Sequence, residues 1–245
     1  MTDTFIGPSS KVFVIREQNG ADDDTLSRMG VGKGREIEIM NGFLAGVVES
    51  IDGNSPVTPK DILDLGLRDK YAILIQSRIF SLGPDVKFNY AWKEDRPPAE
   101  YSEDLTKFIW DYSKPFPDTS SNDYHPQKLI PYPAEGTIEI SIKDRMYTLD
   151  FLNGHGELIL FADKAQSINT ELIARNLSIK GADGVYNKVQ NFAQVSSRDL
   201  SIIRSTAEKL DPIPMADVSI EDPTSGETIT VPLLSIRDFF FPTLL

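Results

Sequence analysis

Apolar and polar residues change their spacing several times along the chain, and each change marks an element. Lys11 to Ile15 (KVFVI) reads as a short strand, and NGADDD then turns the chain, with Asp22 to Asp24 as a solvated loop or a helix start. Ile37, Met40, Leu44, Val47 and Ile51 fall at helical spacing and predict a helix across them. Thr58, Pro59 and Asp61 supply an N-cap, a first-turn proline and a first-turn acid. They start a second helix running to about Leu82, bent at Gly66 and ended by Gly83-Pro84. Phe88, Tyr90 and Trp92 alternate as a strand with one aromatic face, KEDRPPAE turns it, and LTKFIW closes this part of the chain.

The strongest strand signal comes later. Ile138, Ile140 and Ile142 alternate with polar residues, and Tyr147, Leu149 and Phe151 return after a turn. Helical stretches are expected around Glu157 to Leu177 and Val185 to Phe192. A further helix carries Leu200, Ile203, Ala207 and Leu210 on one face, with Ser196 or Ser197 as its cap and Pro212 and Pro214 as its stop. ADVSIEDPTSGETITV then predicts a hairpin with Val218 and Ile220 facing Ile229 and Val231.

Between these patterns lies DYSKPFPDTSSNDYHPQKLIPYPAEG, whose prolines at 115, 117, 126, 131 and 133 exclude helix and central strand. It reads as a linker or an extended surface crossing. The division expected is residues 1–112, a linker over 113–136, and residues 137–245. Both flanking parts run through one order: strand or hairpin, helices, a helix opening on Arg-Asp, a proline stop, a hairpin. Asp69, Ile73, Phe80 and Pro84 answer to Asp199, Ile203, Leu210 and Pro214. The fold expected is therefore α+β, with two related halves, each a β-hairpin plus a helical layer followed by a ribbon-like hairpin. A repeated unit that buries a face against its twin is more often a scaffold device than a catalytic one.

Composition narrows the function classes. The 245 residues carry a formal charge of -12, which disfavours nucleic acid as the main partner, because phosphate contacts need clustered Lys and Arg. There is no cysteine, so disulfides and thiolate metal sites are excluded, and His125 and His155 are the only imidazoles. The opening MTDTFIGPSS has neither a basic nor an apolar segment of the signal-peptide kind, and no apolar run approaches the ~18 residues of a membrane span. A soluble protein is expected.

Candidate chemistry is sparse. GVGKGRE, Gly30 to Glu36, offers glycines and Lys33 to a phosphate but lacks the Walker spacing, and a loop before the next helix is the simpler reading. Acidic pairs such as those in EDRPPAEYSED are what an acidic surface supplies without a cleft. His155 sits in a glycine-flanked turn, and there is no GxSxG elbow. No catalytic, cofactor-binding or metal-ligating residue is assigned, and no cofactor or small-molecule substrate is expected. The ending IRDFFFPTLL is more informative. Phe239, Phe240, Phe241, Pro242 and Leu244 are costly to leave in water, so they either dock on their own domain or anchor a partner. Trp92 and Trp110 have the same two readings.

DILDLGLRDKYAILIQSRIFSLGPDV, SSRDLSIIRSTAEKL and FFFPTLL together resemble the hub subunits and hub-assembly proteins of T-even-type phage baseplates. The resemblance covers most of the chain in order of elements, through soft motifs: an Arg-Asp helix, a Gly stop and an aromatic-Pro ending. Similar phage proteins carry Cys pairs in the hairpin after the helix, like a zinc ribbon. Here that stretch is KFNYAWKEDRPPAEYSEDL, so a retained ribbon needs Tyr90 and Trp92 packing in place of the metal. The resemblance implies a non-enzymatic protein of the contractile-tail baseplate hub, with other hub and tail proteins as partners. It would act in the host cytoplasm during assembly or stay in the virion's tail baseplate. The alternatives are a small hydrolase or nucleotide-binding enzyme and a cellular adaptor.

Overall fold

Strands β1 (Thr2–Ile6) and β2 (Val12–Arg16) open the chain as an antiparallel pair. The computed structural model describes residues 1–28, 35–93, 96–133, 136–162, 167–214, 216–233 and 239. Helix α1 (Gly20–Leu26) follows β2, and its acidic run is a helix start: Asn19 and Asp22 form a reciprocal capping box. Helix α2 (Glu36–Val47) leads directly into strand β3 (Val48–Ile51), which lies beside β2. The helical spacing that extends to Ile51 stops earlier in the fold. Val47 and Val48 are β-branched and lose side-chain freedom in a helix, while β2 offers a ladder that pairs Phe13 with Ile51.

Helix α3 (Pro59–Asp64) starts at the expected Thr58 cap, closed by Asp61 in a capping box that contributes about 1 kcal/mol. Gly66 is the N-cap of a separate helix, α4 (Leu67–Leu82), so the expected bend is a break. Gly83, at φ 86, ends α4 in a conformation a side chain disfavours. Strands β4 (Asp85–Tyr90) and β5 (Ala99–Asp104) form a hairpin. Beyond it, β6 (Thr137–Ile142) and β7 (Arg145–Asp150) pair as the expected outgoing and return strands, Ile138 with Leu149 and Ile140 with Tyr147.

Two short helices follow, α5 (Gly154–Leu160) and α6 (Thr170–Ala174), then strands β8 (Ser178–Lys180) and β9 (Tyr186–Lys188), which extend the β6–β7 sheet. The helix expected from Val185 is thus a strand. Asp183-Gly184 is a hairpin signal, and Gly184 takes the positive φ of 83 that such a turn uses. Helix α7 (Ser197–Leu210), capped by Ser196, precedes the hairpin β10 (Asp217–Glu221) and β11 (Thr228–Pro232), where Val218 pairs with Val231 and Ile220 with Ile229 as the pattern predicts. The class is α+β: seven α-helices and four small antiparallel sheets among the described residues.

Core membership divides the molecule differently from residue number. One cluster joins Phe13, Ile15, Phe43, Leu44, Val47, Ile73, Val86, Phe88 and Phe108 with Val218, Ile220, Leu233 and Phe239. The second gathers Ile138, Ile140, Tyr147, Leu149, Leu172, Leu200, Ile203 and Ala207. The last hairpin therefore leaves the α7 unit and packs on the first one. The proline-rich stretch is not extended but runs through successive turns, and it is tied down late: Leu129 N–H donates to Phe108 O at 2.8 Å, and Tyr132 N–H to Pro8 O at 2.9 Å. Leu210, expected on the buried face of α7, is 43 % exposed.

Candidate functional site

Where the two cores meet, Arg68, Arg175 and Asp211 are buried together. Arg68 is the second residue of α4, and Gly66 before it leaves room for Tyr132, whose hydroxyl would lie 2.2 Å from an added Cβ. The Arg68 guanidinium sits 4.2 Å from the Tyr132 ring centroid. Nε and Nη2 donate to Asp211 Oδ1 at 3.1 and 2.6 Å, Nη2 also to Leu210 O at 2.7 Å, and Nη1 to Ile130 O and Pro131 O at 3.0 and 2.9 Å. Asp211, the C-cap of α7, accepts on its other oxygen from Arg175 Nη1 and from Leu152 N–H at 2.8 Å. Arg175 also donates to Asp211 O and to Glu171. The guanidinium of Arg68 thus spends its bonding capacity on protein acceptors, and a buried carboxylate held by two such forks is a rigid junction. It joins α4, the crossing segment, α6 and α7 at one point.

A second buried pair, Lys70 with Glu157, ties α4 to α5; burial pulls the Lys70 ammonium below its usual range. Gly154 at the start of α5 lets that helix approach α3, since a Cβ there would lie 2.7 Å from Leu63 Cα.

The β4–β5 and β10–β11 hairpins are clasped to each other. Phe88 stacks on Tyr101 at 5.8 Å and Trp92 meets Tyr90 edge-on at 5.3 Å. Trp92 Nε1 donates to the Tyr101 hydroxyl at 2.7 Å, which donates onward to Glu221 O at 2.9 Å. Arg96 forks onto Asp222 at 3.2 and 2.7 Å and, with bonds from Ser225 and Thr224, holds that carboxyl well below the usual range. Aromatic packing holds the first hairpin together, with Tyr90 and Trp92 both in it.

The candidate anchor residues fall as follows. Phe239 is fully buried in the first core, and Arg78 Nε donates to its carbonyl at 2.7 Å. Phe240, Phe241, Pro242 and Leu244 lie outside the described residues, as do Lys33, Glu94 and Asp95. Trp92 and Trp110 are half-buried. His155 bonds Asp64 at 2.9 Å on the surface, and His125 packs edge-on against Phe108. Two clefts are larger than the rest of those described here. One, of about 490 Å³, is lined by Lys11, Asp52, Asp61 and Asp64; the other, of about 550 Å³, lies between β1 and Trp110.

Sequence reasoning missed an exposed apolar surface on the second unit. Leu158, Ile159 and Phe161 at the end of α5, and Ile168 and Ile173 around α6, face solvent, with Phe161 56 % and Ile168 79 % exposed. The signal was present in GELILF, four successive apolar residues on a short helix, more than one helical stripe can bury. Beside Ile168 runs a groove of about 320 Å³ along α7, lined also by Asn169, Ser197, Leu200 and Arg204. No helix among the described residues is long and apolar enough to cross a membrane. No family model, curated protein or solved structure matches the chain.

Proposed function

We propose that the protein works through protein contacts alone, as a subunit or assembly factor of a contractile-tail baseplate hub. The observation that carries the contact role is the exposed apolar surface of α5 and α6, since clustered aliphatic and aromatic side chains in water are what a partner interface buries. The buried charges support it from the other side. Arg68, Arg175 and Asp211 are consumed in holding segments together, as scaffold groups are, with no geometry directed at a reacting molecule. The baseplate assignment rests on the resemblance of the two Arg-Asp helices and the aromatic-Pro ending. Under this reading Phe240, Phe241, Pro242 and Leu244 remain candidate anchors, and buried Phe239 fixes the root of that segment in the first core.

The test is an affinity capture of the tagged protein from infected cells, with mass spectrometry of purified particles. Hub proteins in the capture without the chain in particles identify a transient assembly factor, and the chain in both identifies a hub subunit. Tail proteins in neither overturn the baseplate reading.

A further inference from the structure

Strand β1 has one paired edge and one open edge, and its register fixes which residues serve each. Glu17 N–H donates to Met1 O at 3.2 Å and Gly7 N–H to Lys11 O at 2.9 Å; between them Asp3 and Phe5 lie opposite Ile15 and Phe13. Bonded residues alternate in an antiparallel ladder, so Thr2, Thr4 and Ile6 turn their N–H and C=O groups away from β2. No strand lies on that side, since β1 is the outer member of its sheet. Asp3 Oδ1 meets Thr4 N–H at 2.9 Å. The N–H groups of Thr2 and Ile6 and the carbonyls of all three residues have no partner among the described residues. Thr2 and Thr4 are exposed and Ile6 is half-buried, so the edge is open to a second chain. It pairs without a bulge and holds neither lysine nor proline, common devices against edge pairing.

The cleft in front of β1 sets it apart from the other open edges of the fold. Asp3, Thr4, Phe5 and Ile6 in succession line the 550 Å³ cleft, with Ile109 and Trp110 also in its lining. Other strands give the described clefts one residue each, Ile51 of β3 and Asp217 of β10. Gln76 Nε2 donates to Asp3 Oδ2 at 3.1 Å, which puts the odd-numbered side chains of β1 on the α4 side, where Ala72 and Gln76 line the cleft.

Those positions state the chemistry of an occupant. Free donors and acceptors recur on alternate residues, roughly 7 Å apart, a spacing that extended backbone matches and a helix, bonded within itself, does not. In a strand laid along β1, every second side chain falls level with Asp3 and Phe5, toward α4 and Trp110. Small Ala72 leaves room there for an aliphatic group.

We infer that the open edge of β1 takes up an extended, antiparallel segment of a partner protein, with aliphatic side chains at alternate positions set between α4 and Trp110. This is a second contact surface, on the first unit. It rests on the contact role proposed above and names a partner chemistry, whatever assembly that partner belongs to.

The experiment uses the purified full chain and the peptide acetyl-Lys-Val-Thr-Val-Thr-Val-Glu-amide, with a copy N-methylated at both Thr amides. NMR follows the Thr2 and Ile6 amide protons and the Trp110 indole proton during titration. The plain peptide should shift all three saturably and slow the hydrogen exchange of both amides. Its methylated copy, equal in charge and side chains, should bind at least about tenfold more weakly, the loss of one or more hydrogen bonds. Thr4→Pro should abolish binding and leave the β1–β2 ladder in place, because that amide points outward. If this variant does not fold, the two peptides still decide the matter on the unaltered chain. Equal binding of the two peptides, or no shift at millimolar peptide, overturns the proposal. So does a fall in the sedimentation coefficient of the chain alone on Thr4→Pro, which would make a second copy the occupant. Because the probe is synthetic, the edge can fail while the baseplate reading stands, and the reverse.

Discussion

Helices α4 and α7 open on the same two residues and live in different surroundings. In both, the Asp is the third residue after the cap, Asp69 after Gly66 and Asp199 after Ser196, where a carboxylate meets the unpaired amides and the positive end of the helix. There the likeness stops. Helix α4 is buried on most of its circumference, so Arg68 and Asp69 are each 1 % exposed and need acceptors and donors from distant segments. Helix α7 buries only the stripe of Asp199, Leu200, Ile203 and Ala207, and Arg198 faces solvent. Local sequence chose the same start for both helices, and tertiary packing decided what the charges cost.

The sharpest way to break the comparison is at Asp211, which neutralises Arg68 on α4 while ending α7. Asp211→Ala leaves the buried Arg68 guanidinium without a carboxylate, Arg175 with Glu171 alone, and Leu152 N–H without its acceptor. The expected loss is about 3–5 kcal/mol, because removing one member of a buried ion pair strands the others. Urea unfolding followed by circular dichroism measures it. A loss under about 1 kcal/mol, the range of an exposed pair, would mean that water reaches the junction and that it is no staple.

The two acids at the helix starts separate by pH, with opposite signs. Burial pushes the Asp69 carboxyl up, against the Ser9 bonds and the nearby Lys11 and Arg68 charges that oppose it. Its folded form holds a proton longer than the unfolded chain does, so stability falls as pH rises from the ordinary carboxylate range through the raised value. Bonds from the Tyr147 hydroxyl and Ser196 hold Asp199 down, with Arg145 and Lys143 adding to the effect. Its contribution is present above the ordinary carboxylate range and is lost as pH falls through the lowered value. Thermal melts from pH 3 to 7 should therefore show Asp69→Asn gaining on the parent protein as pH rises. Asp199→Asn should fall behind over the same rise. Parallel curves for the two variants would show that their environments do not differ as the fold places them.

Much of this was legible in the sequence, because it is local. Thr58-Pro59-Asp61, Ser196 and the alternation of Val218, Ile220, Ile229 and Val231 each act within a few residues and appear where the pattern put them. What escaped depends on partners far along the chain. Nothing near Asp211 announces Arg68, 143 positions away, and nothing in β3 announces β2. The last hairpin follows α7 in order but packs with Val86 and Phe88, so the expected second half shares its core with the first. Of the expected common order, a hairpin does follow each Arg-Asp helix. The apolar surface is written in GELILF, but the expectation of helical stretches around Glu157 to Leu177 assigns those residues to no face.

The smallest effect concerns the residue that makes the two helix starts look alike. Arg198 is exposed and forms none of the ion pairs that its counterpart does, so Arg198→Ala should change stability by less than about 0.5 kcal/mol. Ser196→Ala on the same turn removes the acceptor for Asp199 N–H at 3.1 Å and should cost about 1 kcal/mol. Both follow from urea unfolding of single variants. If Arg198→Ala costs more than Ser196→Ala, the arginine has a structural partner and α7 is closer to α4 than its exposure implies. If the order holds, the Arg-Asp pair is a helix start in both places and a staple in only one, because only α4 has chain packed over it.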